Sequence, residues 1–165
     1  MRHILYCLLW SFLVLGNCGS VVREVKVYSQ TLGTNEPKGI VFRAPDGFEE
    51  RPQNHMFYHA GLRASISPAY QPGAVFDKVT AEFTEKNLRN NGMALREKQM
   101  KDVKGRKTFL VKGDRIKSKY PQIFVTVVFP ADGGCVQLTA IYPADLQPEL
   151  QQKIDSAILN AHYNK

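Results

Sequence analysis

Few side chains in this sequence are spaced for chemistry. His55 and His59 are four apart, with Met56 and Tyr58 in the interval. On a helix that spacing would put two imidazoles on one face, as a metal site needs. The alternation around them reads as strand or loop instead, which separates them by about 13 Å. No Cys or carboxylate stands beside them as a further ligand, so two surface or half-buried imidazoles are the better reading. His162, near the C-terminus, is expected to be exposed. Glu49-Glu50 is an adjacent acid pair in a loop, where neighbouring side chains diverge, so paired acid–base work is not expected. Cys135 lies in an apolar strand and reads as a small buried hydrophobe before a nucleophile. There is no Gly-x-Ser-x-Gly elbow, no HExxH, no Gly-rich phosphate loop and no dinucleotide fingerprint. Asp132-Gly133-Gly134 joins two strands and opens no helix. No catalytic set, metal site or cofactor is therefore expected. A hydrolase assembled from scattered residues such as His55, His59 or Cys135 stays as an alternative.

The unusual feature is electrostatic. Between positions 96 and 119 stand ten bases: Arg96, Lys98, Lys101, Lys104, Arg106, Lys107, Lys112, Arg115, Lys117 and Lys119. Only Glu97, Asp102 and Asp114 oppose them, so this stretch carries as much net charge as the whole chain, +7, and the remainder is close to neutral. Many of these charges are expected to protrude on one end or face of the fold. Such a surface suits anionic headgroups, lipopolysaccharide or an acidic protein, and a basic segment beside an anionic bilayer gains about 1 kcal/mol per Lys or Arg. The competing reading is solvated strand edges, where Lys blocks edge-to-edge pairing. Nucleic acid is disfavoured, because few aromatics interleave with the bases.

The address is written at the N-terminus. Met1-Arg2-His3 carries one fixed positive charge, Ile4 to Leu15 is a twelve-residue run with only Ser11 polar, and Gly16 to Ser20 is small and polar. This is the layout of a secretory signal, and it falls short of the about 20 apolar residues of a membrane span. Leu15-Gly16-Asn17-Cys18 resembles the bacterial lipoprotein box, with Asn17 departing from the small residue that usually precedes the Cys. Cys18 is thus a candidate for acylation, and two or more chains would hold the domain to a membrane. Ordinary cleavage near Cys18 or Ser20 is the alternative, and Cys18 could also pair with Cys135. Residues 1–17 are expected to be the signal, 18–38 a leader that serves as tether or edge strand, and 39–165 one domain.

The domain needs a core to carry this surface. At 165 residues and 44% hydrophobic, the chain has ordinary globular composition and room for one domain. Ile40-Val41-Phe42 is β-prone and ends in the turn Ala44-Pro45-Asp46-Gly47. Met56 to Ser67 alternates, with Met56, Tyr58, Ala60, Leu62, Ala64 and Ile66 on one face, as one strand or as a hairpin bent near Gly61. Pro68 to Gly73 reads as a loop. Val75, Phe76, Val79, Phe83 and Leu88 lie near one helical stripe over 74–90, stopped by Asn91-Gly92. Strands are expected over 93–103, 107–112, 123–129 and 136–142, the last two as a hairpin around Gly133-Gly134. Leu146, Leu150, Ile154, Ile158 and Ala161 mark a terminal helix with Pro148 in its first turn. The order predicts an α+β fold: an antiparallel β-sheet with helices packed on it.

The strand closed by Ala44-Pro45-Asp46-Gly47-Phe48, the helix ending Leu88-x-x-x-Gly92, the strand containing Gly105, the hairpin Phe124–Phe129/Val136–Ile141 and the Ile154-x-x-x-Ile158 helix resemble PsbP-like and DcrB-like domains over about residues 39–161. The resemblance implies an α/β/α sandwich on an antiparallel sheet. It implies an exported protein of the periplasm or cell envelope, often a lipoprotein, and no characteristic enzyme activity; a related architecture occurs in a nuclear-transport factor acting on the GTPase Ran. The expected function is a non-enzymatic binding or accessory module of the envelope, whose partner is an anionic membrane surface or an acidic envelope protein. An immunity or adaptor module using residues 96–119 is the alternative binding role.

Overall fold

Alternation and turn residues build most of the chain into strands. The computed structural model describes residues 24–28 and 39–164. The expected signal 1–17 and Cys18 lie outside the described residues. The elements are β1 (Glu24–Tyr28), β2 (Gly39–Arg43), β3 (Glu49–Arg51), a single 3₁₀ turn (Pro52–Asn54), β4 (Met56–His59), β5 (Ala64–Pro72), α1 (Phe76–Ala81), α2 (Glu85–Asn90), β6 (Met93–Val103), β7 (Arg106–Arg115), β8 (Gln122–Ala131), β9 (Gly134–Pro143), α3 (Pro148–Leu159) and β10 (His162–Asn164). Seven strands form one sheet in the order β3-β4-β5-β9-β8-β7-β6, and β1-β2-β10 form a second. Every pairing is antiparallel.

Two apolar clusters fix the layers. Ile154 and Ile158 of α3 pack with Ile40 and Phe42 of β2 against Val125, Val127 and Phe129 of β8 and Val136, Leu138, Ala140 and Tyr142 of β9. On the other face, Phe76 of α1 and Leu88 of α2 pack with Phe109, Val111, Phe124, Val128 and Cys135. The large sheet is thus covered on both sides. That explains the unbroken apolar run of β8, which has no solvent face, and the cleaner alternation of β9. The architecture is the expected α+β antiparallel sheet with helices packed on it.

Several elements differ from the sequence reading. The stripe over 74–90 is two short helices. The chain breaks at Glu82–Thr84, where Thr84 Oγ1 accepts from the Asn87 amide at 3.2 Å and caps α2, while Asn87 Nδ2 donates to the Glu82 carbonyl at 2.9 Å. Residues 68–72 are strand, not loop: β5 pairs with β9 out to Pro72↔Gly134. Beyond Ile66 no other strand among the described residues pairs with its far side, and Pro68 and Pro72, two positions of one parity, turn their missing donors to that side. The segment 56–67 takes the hairpin alternative, turning at Ala60–Arg63 about Gly61 as expected, but the turn changes the parity, so the expected single face does not hold. Phe57 pairs with Ile66, and Phe57 is buried while Met56 and Tyr58 are half-buried. Gly105 sits in a turn rather than a strand. With Lys104 it makes the two-residue β6–β7 turn, both at positive φ (56° and 77°), and Asp102 Oδ1 accepts from the Gly105 amide at 2.7 Å. β10, after α3, had no signal in the sequence.

Candidate functional site

The basic stretch forms the β6–β7 hairpin at one edge of the large sheet together with the loop that leads to β8. Strand alternation divides it. Lys98 pairs across from Val111, and Asp102 across from Lys107, on the side of α1 and α2. Lys101, Arg106 and Lys112 share the opposite side with Leu110, under α3. The ten bases therefore do not share one face.

Five of them meet a carboxylate or a backbone carbonyl of another segment within 3.4 Å, some half-buried and some at the surface. Arg96, at the bulge between Leu95 and Glu97, clamps both carboxylate oxygens of Asp114 at 2.6 and 2.7 Å. Lys107 meets Asp77 of α1 at 3.1 Å, an exposed pair. Lys98 Nζ lies 3.4 Å from the Phe83 carbonyl. Lys112 meets Asp155 of α3 at 3.0 Å, both side chains less than a quarter exposed, and the Tyr142 hydroxyl donates to the same carboxylate at 2.9 Å. Burial, then the charge of Asp155, pushes the Tyr142 hydroxyl far above the ordinary phenol range. Arg106 reaches across to the C-terminal end of α3. It donates to the Ala161 carbonyl at 2.6 Å and the Leu159 carbonyl at 3.4 Å, with its guanidinium 3.6 Å above the Phe129 ring. Leu159 is the last residue of α3, whose end leaves its carbonyls without intrahelical partners, and Ala161 follows just past the cap. Burial lowers the pKa of this guanidinium.

The other five point elsewhere. Lys101 and Lys104 form no ion pair among the described residues. Lys104 lies at the hairpin turn. Arg115, Lys117 and Lys119 gather at the opposite end, around the β7–β8 loop. Arg115 donates to Gln122 at 2.9 Å, Lys117 Nζ lies 3.5 Å from the Asn90 carbonyl, and Lys119 Nζ is 5.5 Å from the Tyr120 ring centre. Arg63, in the β4–β5 turn, also approaches that ring, its guanidinium 5.4 Å from the centre. Ile116 and Tyr120 are each 54% exposed in the same loop. Sequence reasoning took the cations of this loop and missed Arg63, Ile116 and Tyr120. The adjacency of Ile116 and Tyr120 to Arg115, Lys117 and Lys119 was a signal; the approach of Arg63 depends on a turn far away in sequence.

The remaining candidates are placed as follows. His55 caps the 3₁₀ turn at positive φ (48°) and is exposed. His59 Nδ1 accepts from the Leu62 amide at 3.2 Å, and its ring meets Phe48 edge-on at 5.5 Å. Glu49 and Glu50 are successive residues of β3, so they point to opposite sides. Cys135 is buried against α1, its Sγ 3.4 Å from the Ala74 carbonyl, and burial raises its thiol pKa. His162 is exposed in β10 and lines an open groove of about 930 Å³ between β2 and α3. Charges of both signs border that groove: Arg43, Lys104 and Lys153 against Asp46 and Glu149. Among the described residues, no three His, Cys, Asp or Glu side chains come together as a metal site would need. No helix among them is long and apolar enough to cross a membrane.

No family model matches the sequence, and no curated protein matches it significantly. Solved structures do match. LpqN, involved in cell envelope biogenesis of Mycobacterium tuberculosis, superposes with a TM-score of 0.60 at 15% identity, over 87% of this chain and 91% of that one. Cyanobacterial PsbP (CyanoP) from Synechocystis sp. PCC 6803 gives 0.57 at 14% identity, over 91% and 99%. A mutant of protein Mog1 gives 0.51 at 13%, over 85% and 95%. At these identities the likeness is one of fold. The class is defined by it: the chain has the PsbP-like α+β fold, as the resemblance in its sequence implied.

Proposed function

We propose that this chain is an exported, non-enzymatic accessory module of the cell envelope. Its signal, residues 1–17, is removed, Cys18 carries the acyl chains that hold it to a membrane, and the PsbP-like domain binds an anionic partner there. The observation that carries the reading is that Lys98, Lys101, Lys104, Arg115, Lys117 and Lys119, all in one stretch of chain, form no ion pair among the described residues. The layout of residues 1–20 supports export, and the likeness to LpqN, itself involved in envelope biogenesis, is in keeping with it. The ordinary structural duties of His59 and Cys135 support a binding role over hydrolysis.

The test is fractionation of cells that make the chain with and without Cys18→Ala, with radiolabelled fatty acid in the medium. The wild type should carry label and sediment with membranes, and the variant should do neither. Identical fractionation with no labelled product contradicts lipidation.

A further inference from the structure

The β7–β8 loop joins two features that a soluble surface rarely combines. Ile116 and Tyr120 expose more than half their surface, and Arg115, Lys117, Lys119 and Arg63 surround them, all exposed. Asp145 borders a hollow of about 400 Å³ at this end with Arg63 and Tyr120. Asp114 is already clamped by Arg96. The sum is positive. The loop is also braced. The Ile116 amide donates to the Gly92 carbonyl at 2.8 Å, Lys117 lays its stem where a Gly92 Cβ would sit, and Ser118 donates to Gln122 at 3.0 Å. A braced loop loses little freedom on docking.

We propose that this end of the domain lies on an anionic lipid bilayer, with Ile116 and Tyr120 in the headgroup layer and Arg63, Arg115, Lys117 and Lys119 on anionic headgroups. Ile116 adds apolar surface that charge pairing with an acidic partner does not use and that the interfacial layer of a bilayer takes up. A Tyr with long bases beside it suits a boundary where one end is apolar and the other wet. The path of the chain agrees. β1 starts at Glu24, opposite Arg43. One residue beyond Arg43 begins the turn whose Gly47 packs on His59, and His59 is bonded to Leu62, the neighbour of Arg63. The six residues from Cys18 to Glu24 reach at most about 20 Å, so an anchor at Cys18 keeps Arg43 and the turn that follows it within that reach of the membrane.

The proposal rests on the membrane location in the proposed function, and the test separates the two. The mature chain, extracted from membranes of the producing cells and beginning at Cys18 as the proposed function has it, is reconstituted in vesicles containing a lipid with a shallow doxyl quencher. The one Trp of the sequence, Trp10, leaves with the signal, so a reporter placed by Tyr120→Trp or, at the far end, by Lys104→Trp is read alone. In phosphatidylcholine with about 30% phosphatidylglycerol, emission from the Tyr120→Trp reporter should shift to the blue and be quenched about twofold or more. The effect should vanish in pure phosphatidylcholine, in high salt, and in the K117E/K119E background. The Lys104→Trp reporter should not respond. Unshifted emission from the first reporter, equal quenching of both, or failure of the mature chain to float with anionic vesicles overturns the proposal; the first of these with flotation intact is the result expected if an acidic protein is the partner. Flotation of the Cys18→Ala chain, scored in parallel, reads the anchor alone: equal flotation contradicts lipidation and leaves the reporter result standing.

Discussion

Arg106 belongs to the basic stretch by sequence and to the α3 docking site by structure, and its replacement separates the two roles. Three interactions end on one guanidinium: a short charge-assisted bond to Ala161 O and a long one to Leu159 O, a cation at a helix C-terminus, and a stack on Phe129. Such bonds contribute about 1.5–3 kcal/mol, a cation at a helix C-terminus about 0.3–2 kcal/mol and a cation–π contact about 0.5–2 kcal/mol. They share one group and do not add. With the guanidinium only half-buried, Arg106→Ala should cost about 3 kcal/mol, a fall in Tm of roughly 10 °C for a domain of this size. Arg106→Met keeps the apolar stem over the ring and should recover part of the loss. Arg106→Lys keeps the charge without the fork and should fall between the two. Urea unfolding followed by circular dichroism, with unchanged slope, gives the values. If Arg106→Ala stays within about 0.5 kcal/mol of wild type, as ordinary surface substitutions do, the capping argument fails and Arg106 returns to the pool of surface bases.

Other outcomes follow from the same packing. Asp155→Ala strands the Lys112 ammonium and the Tyr142 hydroxyl between α3 and the sheet, and should cost about 2–3 kcal/mol by urea unfolding. Gly113→Ala drives a methyl into the Ala94 carbonyl oxygen of β6 and the Phe124 ring of β8, and should yield little folded protein; soluble expression at the wild-type level contradicts that packing. Cys135 should resist thiol reagents in native protein and react at the unfolding rate, while prompt labelling would contradict its burial. Burial, with Tyr70 and Asp132 beside it, pushes the Tyr163 hydroxyl up to about 12. The native state then holds its proton where the unfolded chain has lost it, so stability should decline as pH rises from about 10 to 12. Tyr163→Phe should flatten that decline, and an unchanged slope would refute the assignment.

Much of the fold was legible because its strands announce themselves. Val136, Leu138, Ala140 and Tyr142 alternate in sequence and are buried on one face, and Ile154 and Ile158 seat α3. What failed was continuity. A turn resets the parity of alternation, so Phe57 and not Met56 reached the core. The stripe over 74–90 contains a step of five, Phe83 to Leu88, where a Thr cap ends one helix and starts another. Prolines in 68–72 look like loop residues until one side of the strand is known to be unpaired. The basic stretch was legible as charge and illegible as surface. Whether a Lys faces Asp77, Asp155 or water depends on helices 20 or more positions away, and no local pattern carries that.

The central claim is that the domain works outside the cytoplasm, held at a membrane through Cys18. Intact-mass analysis of the protein extracted from its native cells tests this directly. The account predicts a chain beginning at Cys18 with the added mass of acyl chains, recovered from membranes; a chain beginning at Met1 and recovered from cytosol contradicts it.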